Sequence, residues 1–222
     1  MFAYPSHKKA EKPLFYHVFS PGISEWTSSN IPTNNNYSLF SSTVDDLGHQ
    51  SAVAQSLPKP ITLAIKLKHS SDTLFLFCDN SSALGFLKVG VRHLFLRKEG
   101  LLVELDVICI LDFFVQTNHQ RRGIGLALFK HFLTKFNTSP ESLAYDRPSP
   151  KLLAFLRKHY NQNHPRHQDN NYVIYPGFFQ HNTPKSNKRK EIMSSLDARP
   201  LTARVGGMGR RSGGGRLFGS LR

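Results

Sequence analysis

The segment Asp112–Leu133, DFFVQTNHQRRGIGLALFKHFL, places two glycines one residue apart, after two arginines and before an apolar helical pattern. A helix that begins at such glycines exposes unpaired backbone N–H groups at the positive end of its dipole, which favours a bound phosphate. An ordinary strand-to-helix turn with basic side chains is the alternative. The candidate donors and close-approach positions are Gln120, Arg121, Arg122, Gly123 and Gly125.

Two common nucleotide-binding motifs do not fit this turn. A P-loop requires a glycine, four residues and then Gly-Lys-Ser/Thr, and a dinucleotide fingerprint requires a third glycine or alanine where Leu128 stands. Both kinds of site are therefore excluded at this position.

Asp146 and Cys109 are the other residues that could do chemistry. Asp146 ends the segment LAYD, shortly before the helix that Ser149 caps, and an α/β architecture places working side chains at the carboxyl ends of its strands. A turn or cap aspartate is the alternative. Cys109 shares one strand parity with the apolar residues from Val103 to Val115, so the pattern by itself favours a small buried core residue.

The elements that must position these residues form a mixed α/β (α+β) pattern, with a sheet flanked by helices. The pattern predicts strands over 73–79, 84–96, 101–115, 143–146 and 172–175. It predicts helices over 40–55, with Ser42 or Thr43 as N-cap, over 125–136, and from an N-cap at Ser149 with Pro150 at the first helical position. Residues 59–70 are ambiguous between a strand and a helix that begins at Pro60.

Composition limits the class of protein. The chain has 222 residues with 29 Lys and Arg against 15 Asp and Glu, a net charge of +14 that favours a polyanionic partner without choosing one. Two cysteines exclude a disulfide framework and a four-cysteine zinc site, and favour a reducing compartment. Because we find no apolar run of about eighteen residues, we expect a soluble intracellular protein.

A resemblance adds to this interpretation. The pattern Gln/Arg-x-x-Gly-x-Gly between a strand and a helix is similar to the pyrophosphate loop of the GNAT acyltransferases, which bind coenzyme A. CILDFFVQTNHQRRGIGLALFKHFL, LAYDRPSPKLLAFLRKHYN and NNYVIYPGFFQH resemble successive segments of the alpha-tubulin N-acetyltransferase family, a divergent GNAT branch. The resemblance covers roughly residues 40–181. It implies an acetyl-CoA-dependent transfer of acetyl to a lysine of alpha-tubulin, by direct attack of the amine in a ternary complex.

The resemblance also implies site residues. The catalytic set is Asp146, Cys109 and Gln55. The cofactor set is Phe113, Phe114, Val115, Gln120, Arg121, Arg122, Gly123, Ile124, Gly125, Leu126, Ser149, Lys151 and Lys158. A catalytic role for Cys109 agrees with its apolar parity only if the strand is bulged or its apolar face borders the substrate cleft. No metal is expected.

A basic stripe formed by Lys88, Arg92 and His93 is the expected substrate-binding surface, with an ordinary exposed sheet face as the alternative. The expected partner is alpha-tubulin in microtubules, with no membrane partner and no nucleic acid beyond contact by the basic tail. The expected location is cytoplasmic, on the cytoskeleton, including cilia or axons. The domain is expected over 40–182, after a partly looped segment 1–39 that could add a strand, and before a disordered Gly/Arg tail over 183–222. A pseudoenzyme that binds microtubules or RNA, or a GNAT enzyme with another protein target, remains an alternative.

Overall fold

The computed structural model describes residue 15 and residues 18–182, and the predicted tail lies outside the described residues. The described residues form a seven-stranded sheet in the order β1-β2-β3-β4-β5-β7-β6. The strands are β1 Gly22–Trp26, β2 Thr73–Cys78, β3 Ala83–Lys98, β4 Leu101–Val115, β5 Ala144–Asp146, β6 Arg166–His167 and β7 Tyr172–Ile174. The helices are α1 Asn35–Ala54, α2 Ala64–Lys68, α3 Ile124–Lys135, α4 Pro150–Tyr160 and α5 Phe178–His181. The mixed sheet with flanking helices agrees with the predicted fold class.

One pair of neighbouring strands in this sheet is parallel. Strands β1 to β4 pair antiparallel in sequence order, and α3 then carries the chain across to β5, which runs parallel to β4. The parallel pairing is limited to Cys109 with Ala144 and Ile110 with Tyr145. Beyond Ile110 the two strands diverge, while β4 stays paired with β3 as far as Val115.

Helices cover both faces of the sheet. Successive residues of β2 point to opposite faces, so Phe75 packs with α3 and α4 while Leu74 packs with α1 and α2. A third apolar cluster lies around Cys109 and includes Leu96, Ile174 and Phe178 of α5. The sheet therefore separates the core under α3 and α4 from the core under α1 and α2.

The predicted beginning of the first helix is wrong. α1 begins at Asn35 rather than after Ser42 or Thr43. The hydroxyls of Ser42 and Thr43 donate to the carbonyl of Leu39 at 3.1 and 2.8 Å, so both polar groups are satisfied inside the helix. The first turn of α1 therefore contains Asn35 and Asn36, which lie in the segment 1–39 that was expected to be partly loop.

The ambiguous segment resolves as an extended stretch followed by the short helix α2, which begins at Ala64 and not at Pro60. The predicted strands agree with β2, β3, β4, β5 and β7. The prediction for α4 is confirmed, because the Ser149 hydroxyl accepts a hydrogen bond from the Leu152 N–H at 3.3 Å and Pro150 is the first helical residue.

Strand β4 contains a bulge that the sequence pattern did not locate. Lys88 of β3 faces Asp112, but the next residue, Val89, faces Ile110, so Leu111 is the extra residue. The expectation that the alternate apolar residues of β4 face the same side of the sheet as far as Val115 is therefore wrong beyond Leu111. Phe113 packs with the α3 side of the sheet, whereas Cys109 packs on the opposite side.

The prediction that Lys88, Arg92 and His93 form an exposed basic stripe is also wrong. Lys88 is only 5% exposed, and its Nζ lies 3.2 Å from Asp72 Oδ2. Arg92 donates two hydrogen bonds to the same carboxylate, at 2.8 and 3.0 Å. His93 does lie on the surface, where it bonds to Glu104 and Asp106, and these carboxylates raise the pKa of its ring. The two neighbouring cations are instead satisfied by the buried carboxylate of Asp72.

Asp72→Asn is expected to lower the free energy of unfolding at pH 7 by about 3 kcal/mol, because it leaves Lys88 without its buried counter-charge. Burial opposes ionisation of Asp72, but Arg92 and Lys88 outweigh it and hold the pKa of that carboxyl below its ordinary value of 3.8. The stabilisation is therefore present above pH 3.8 and is lost as the pH falls through the lower folded pKa. Urea denaturation at several pH values measures both effects.

Asp169→Asn is the matched control, because Asp169 pairs with Arg97 on the surface, where both side chains are more than half exposed. We expect it to change stability by less than about 0.5 kcal/mol. Equal losses in the two variants at pH 7 would contradict a stabilising role for the buried cluster.

Candidate active site

An open cleft lies where β4 and β5 diverge. Its lining comes from the end of α1, the bulged part of β4, and the link from β5 to α4. The lining residues are Gln55, Leu57, Ile61, Ile110, Leu111, Asp112, Phe113, Asp146, Arg147, Pro148, Ser149 and Leu152. Tertiary structure thus brings the predicted residues Gln55, Asp146, Ser149 and Phe113 to one place.

Asp112 lies at the wall of this cleft, buried to 6% exposure beneath the end of α1. Its carboxylate accepts hydrogen bonds from Thr62 Oγ1 at 2.7 Å, Ser51 Oγ at 3.0 Å and Gln55 Nε2 at 3.1 Å. Burial raises the pKa of Asp112, and the three donors together with the charge of Lys88 offset part of that rise. The carboxylate is therefore fully engaged by protein groups.

Asp146 ends β5 with its carboxylate partly open to the cleft, at 16% side-chain exposure. Arg147 Nε donates to its Oδ1 at 3.0 Å, and Arg147 Nη2 donates to Oδ2 at 3.4 Å. The guanidinium is 62% exposed, and its residue has a positive φ of 41°. A surface cation thus sits on Asp146, where an incoming cation could replace it.

Cys109 lies in the core and not on the cleft. It is 0% exposed, packs among apolar side chains, and its thiol lies 3.5 Å from the carbonyl of Val107. Burial raises the pKa of this thiol, although the charge of Arg92 acts in the opposite direction. The bulge that a catalytic role requires is present at Leu111, but it places the side chain of Asp112 rather than that of Cys109 at the cleft wall.

The glycine turn exposes a run of backbone donors. Gly123 adopts a φ of 85° directly before α3, and Arg121 also has a positive φ of 62°. The first helical hydrogen bond runs from Ala127 N–H to Gly123. Within the described part of the chain, no protein acceptor meets the backbone N–H groups of residues 121–126. These amides point to an anion site at the start of α3.

Close packing joins this turn to the cleft. A Cβ on Gly125 would lie 3.1 Å from Cζ of Phe113, which lines the cleft, so a side chain here would fill the space above that ring. Gln120 does not point freely into the anion site, because its Nε2 donates to the carbonyl of Val115 at 2.8 Å. The Gln120 side chain therefore fixes the turn against the end of β4.

The remaining predicted cofactor residues differ in accessibility. Phe114 is buried on the α1 side with Phe86, so only its backbone is open to a ligand. Ile124 is buried, whereas Leu126 is half-buried. Lys151 and Lys158 are exposed on α4, two turns apart, and Arg121 and Arg122 are exposed beside the glycines.

Comparison with known protein families adds to this structural description. The family model described as GNAT acetyltransferase, Mec-17, matches residues 16–203, which is most of the chain. The chain belongs to the Mec-17 family of GNAT acetyltransferases. This match extends beyond both boundaries predicted for the domain, in keeping with β1 as an edge strand of the sheet.

Several proteins named alpha-tubulin N-acetyltransferase are similar to this chain. Alpha-tubulin N-acetyltransferase of Tetrahymena thermophila is 40% identical over 67% of this chain and 37% of its own length. Alpha-tubulin N-acetyltransferase 1 of Danio rerio is 43% identical over 62% of this chain and 48% of its own length. The relative from Leishmania infantum is 36% identical over 84% of this chain and 86% of its own length. The chain thus spans less than half of the first two relatives.

Asp112 and Arg147 are residues of the cleft that sequence reasoning missed in this Mec-17-family chain. For Asp112 a signal existed. The available signal was a carboxylate inside the long apolar run of β4, because a buried charge needs partners. Its partners gave no signal, since Ser51 and Thr62 are ordinary hydroxyl residues far from it in sequence. Across the described residues, no helix is long and apolar enough to cross a bilayer, and no cluster of three metal-binding side chains occurs.

Both thiols are expected to resist alkylation in the folded protein. Cys109 and Cys78 are 0% and 1% exposed, and burial raises the pKa of Cys78 to about 12. Iodoacetamide at pH 8 should therefore label neither residue in native protein and both in urea, as read by mass spectrometry of peptides. Labelling of native Cys109 at the rate of a free thiol would show that its side chain reaches solvent.

Proposed function

We propose that this chain transfers acetyl from acetyl-CoA to a lysine side chain of alpha-tubulin, in assembled microtubules. The observation that carries the proposal is the cleft between β4 and β5, where Gln55 and Asp146 meet beside the glycine turn. Family membership supports acetyl transfer, and the names of the relatives supply alpha-tubulin as the acceptor. The proposed place of action is the cytoplasmic cytoskeleton, and cilia or axons remain a prediction.

Acetyl-CoA fits the groups around the glycine turn. The unpaired N–H groups of residues 121–126 suit a pyrophosphate, and exposed Arg121 and Arg122 add positive charge. Among the described residues, β4 has no strand partner on its β5 side beyond Ile110, so the backbone from Phe113 to Val115 is suited to pair with the pantetheine arm. Lys151 and Lys158 on α4 would contact the adenosine end. When bound, acetyl-CoA supplies the thioester carbonyl that the amine attacks.

The acceptor lysine must lose a proton before it can attack. A solvated lysine has a pKa near 10.4, so only about one in a thousand is neutral near pH 7.4. Asp146 is the carboxylate that faces the cleft, and we assign to it the binding of the lysine ammonium and the polarisation of its proton. The ammonium gives its first proton to Asp146, which passes it to water. The C–N bond then forms as the C–S bond breaks, and the second proton of the amine goes to the sulfur, which leaves as a thiol.

Arg147 and Cys109 take secondary places in this proposal. The lysine ammonium would replace the Arg147 guanidinium on Asp146, which is an exposed contact and therefore weak. Cys109 supports the floor of the site from the core, since a 0% exposed thiol cannot contact the substrate without a rearrangement. Direct attack by the amine requires no acetyl-cysteine.

Asp146→Asn is expected to lower microtubule acetylation at least about a hundredfold, because the neutral amide cannot hold the ammonium or accept its proton. The measurement follows transfer of labelled acetyl from acetyl-CoA to assembled microtubules. Asp46→Asn is the matched control, because Asp46 is exposed on α1 and does not line the cleft. An inactive wild type would refute the enzymatic function, and activity on histone peptides but not microtubules would assign another acceptor.

Gly125→Val is expected to weaken acetyl-CoA binding at least about tenfold, because its side chain would enter the space beside Phe113 and the turn. Gly125→Ala should give a smaller loss, since it adds only the Cβ that lies 3.1 Å from Phe113. Isothermal titration calorimetry gives the affinities, and thermal unfolding verifies the folded state of each variant. Unchanged affinity in a folded valine variant would place the cofactor elsewhere.

A further inference from the structure

The hydrogen bonds of Gln55 determine which end of its side-chain amide faces the cleft. Its Nε2 donates to Ser51 Oγ at 2.8 Å and to Asp112 Oδ1 at 3.1 Å. Within the described residues, no group donates to Gln55 Oε1. Gln55 also lines the cleft, so the free oxygen is its unused polar atom there.

The chemistry of Asp112 makes the reverse orientation unfavourable. The Ser51 hydroxyl already donates to Asp112 Oδ1, so it can only accept from Gln55. A turned amide would place Gln55 Oε1 against a carboxylate oxygen and a hydroxyl lone pair. Thr62 donates only to the other oxygen, Oδ2, at 2.7 Å.

We propose that Asp112 is a positioning residue that locks the amide of Gln55 with its oxygen towards the cleft, as an acceptor for the N–H groups of the substrate lysine. This inference rests on the proposed function. The Gln55 oxygen and the Asp146 carboxylate then provide two acceptors for one amine, and they orient it towards the thioester. Asp112 does not contact the substrate, because its oxygens are occupied by Thr62, Ser51 and Gln55.

Asp112→Asn tests whether Asp112 fixes the orientation of the Gln55 side-chain amide. The variant removes the charge that fixes the amide, so kcat/KM for microtubules should fall about tenfold while the affinity for acetyl-CoA stays within about twofold of wild type. Combining it with Gln55→Glu should restore kcat/KM to within about threefold, because a glutamate presents an oxygen to the cleft in either orientation. Gln55→Glu alone should be impaired, since two carboxylates would meet.

Thr62→Val is the matched control, because it removes a shorter hydrogen bond to the same carboxylate without touching Gln55. Its kcat/KM should stay within about threefold of wild type. A loss equal to that of Asp112→Asn, or a folded double variant without rescue, would reduce Asp112 to an ordinary structural residue.

Proton NMR gives a readout that does not depend on catalysis. The side-chain amide signals of Gln55, identified by their absence in Gln55→Leu, should exchange slowly with water in wild type and at least about tenfold faster in Asp112→Asn. Fast exchange in the wild type would overturn the inference. Slow exchange in a wild type that acetylates no substrate would refute the proposed function and leave the lock itself established.

Discussion

Leu111 is the extra residue in the pairing of β3 with β4, and the site depends on the change of parity that it causes. Before the bulge, Cys109 points into the core beneath α5, and after it Phe113 points to the opposite face. Asp112 falls between them and reaches the end of α1. Because β5 follows β4 for only two residue pairs, the same region opens into a cleft instead of continuing as a sheet.

Two buried polar clusters lie next to each other in this fold. Lys88 of β3 belongs to one cluster and faces Asp112 of β4, which belongs to the other. One cluster pairs Lys88 and Arg92 with Asp72, and the other gathers three neutral donors on Asp112. The first neutralises cations that the sequence pattern assigned to a docking surface. The second engages the amide nitrogen of Gln55 at the edge of the cleft. Buried carboxylates thus decide which polar atoms of this region remain accessible.

One aromatic ring connects the glycine turn with the cleft. Phe113 lines the cleft together with Asp146, and its ring also packs under Gly125 of the turn. This arrangement suits a ligand with a charged end and a reactive end. It also explains why the sequence of the turn alone predicted only the phosphate-bearing part of such a ligand.

The sequence by itself determined the strands β2 to β5, the helices α3 and α4, and the glycine turn at which α3 begins, because these follow from local periodicity, capping and glycine positions. Resemblance to a family predicted Gln55 and Asp146 as site residues, and both line the same cleft. Only the tertiary structure decided that Cys109 is buried, that Lys88 and Arg92 are paired, and that Asp112 holds Gln55. Those outcomes depend on contacts between residues far apart in sequence and on one bulge, and local pattern does not encode either of them.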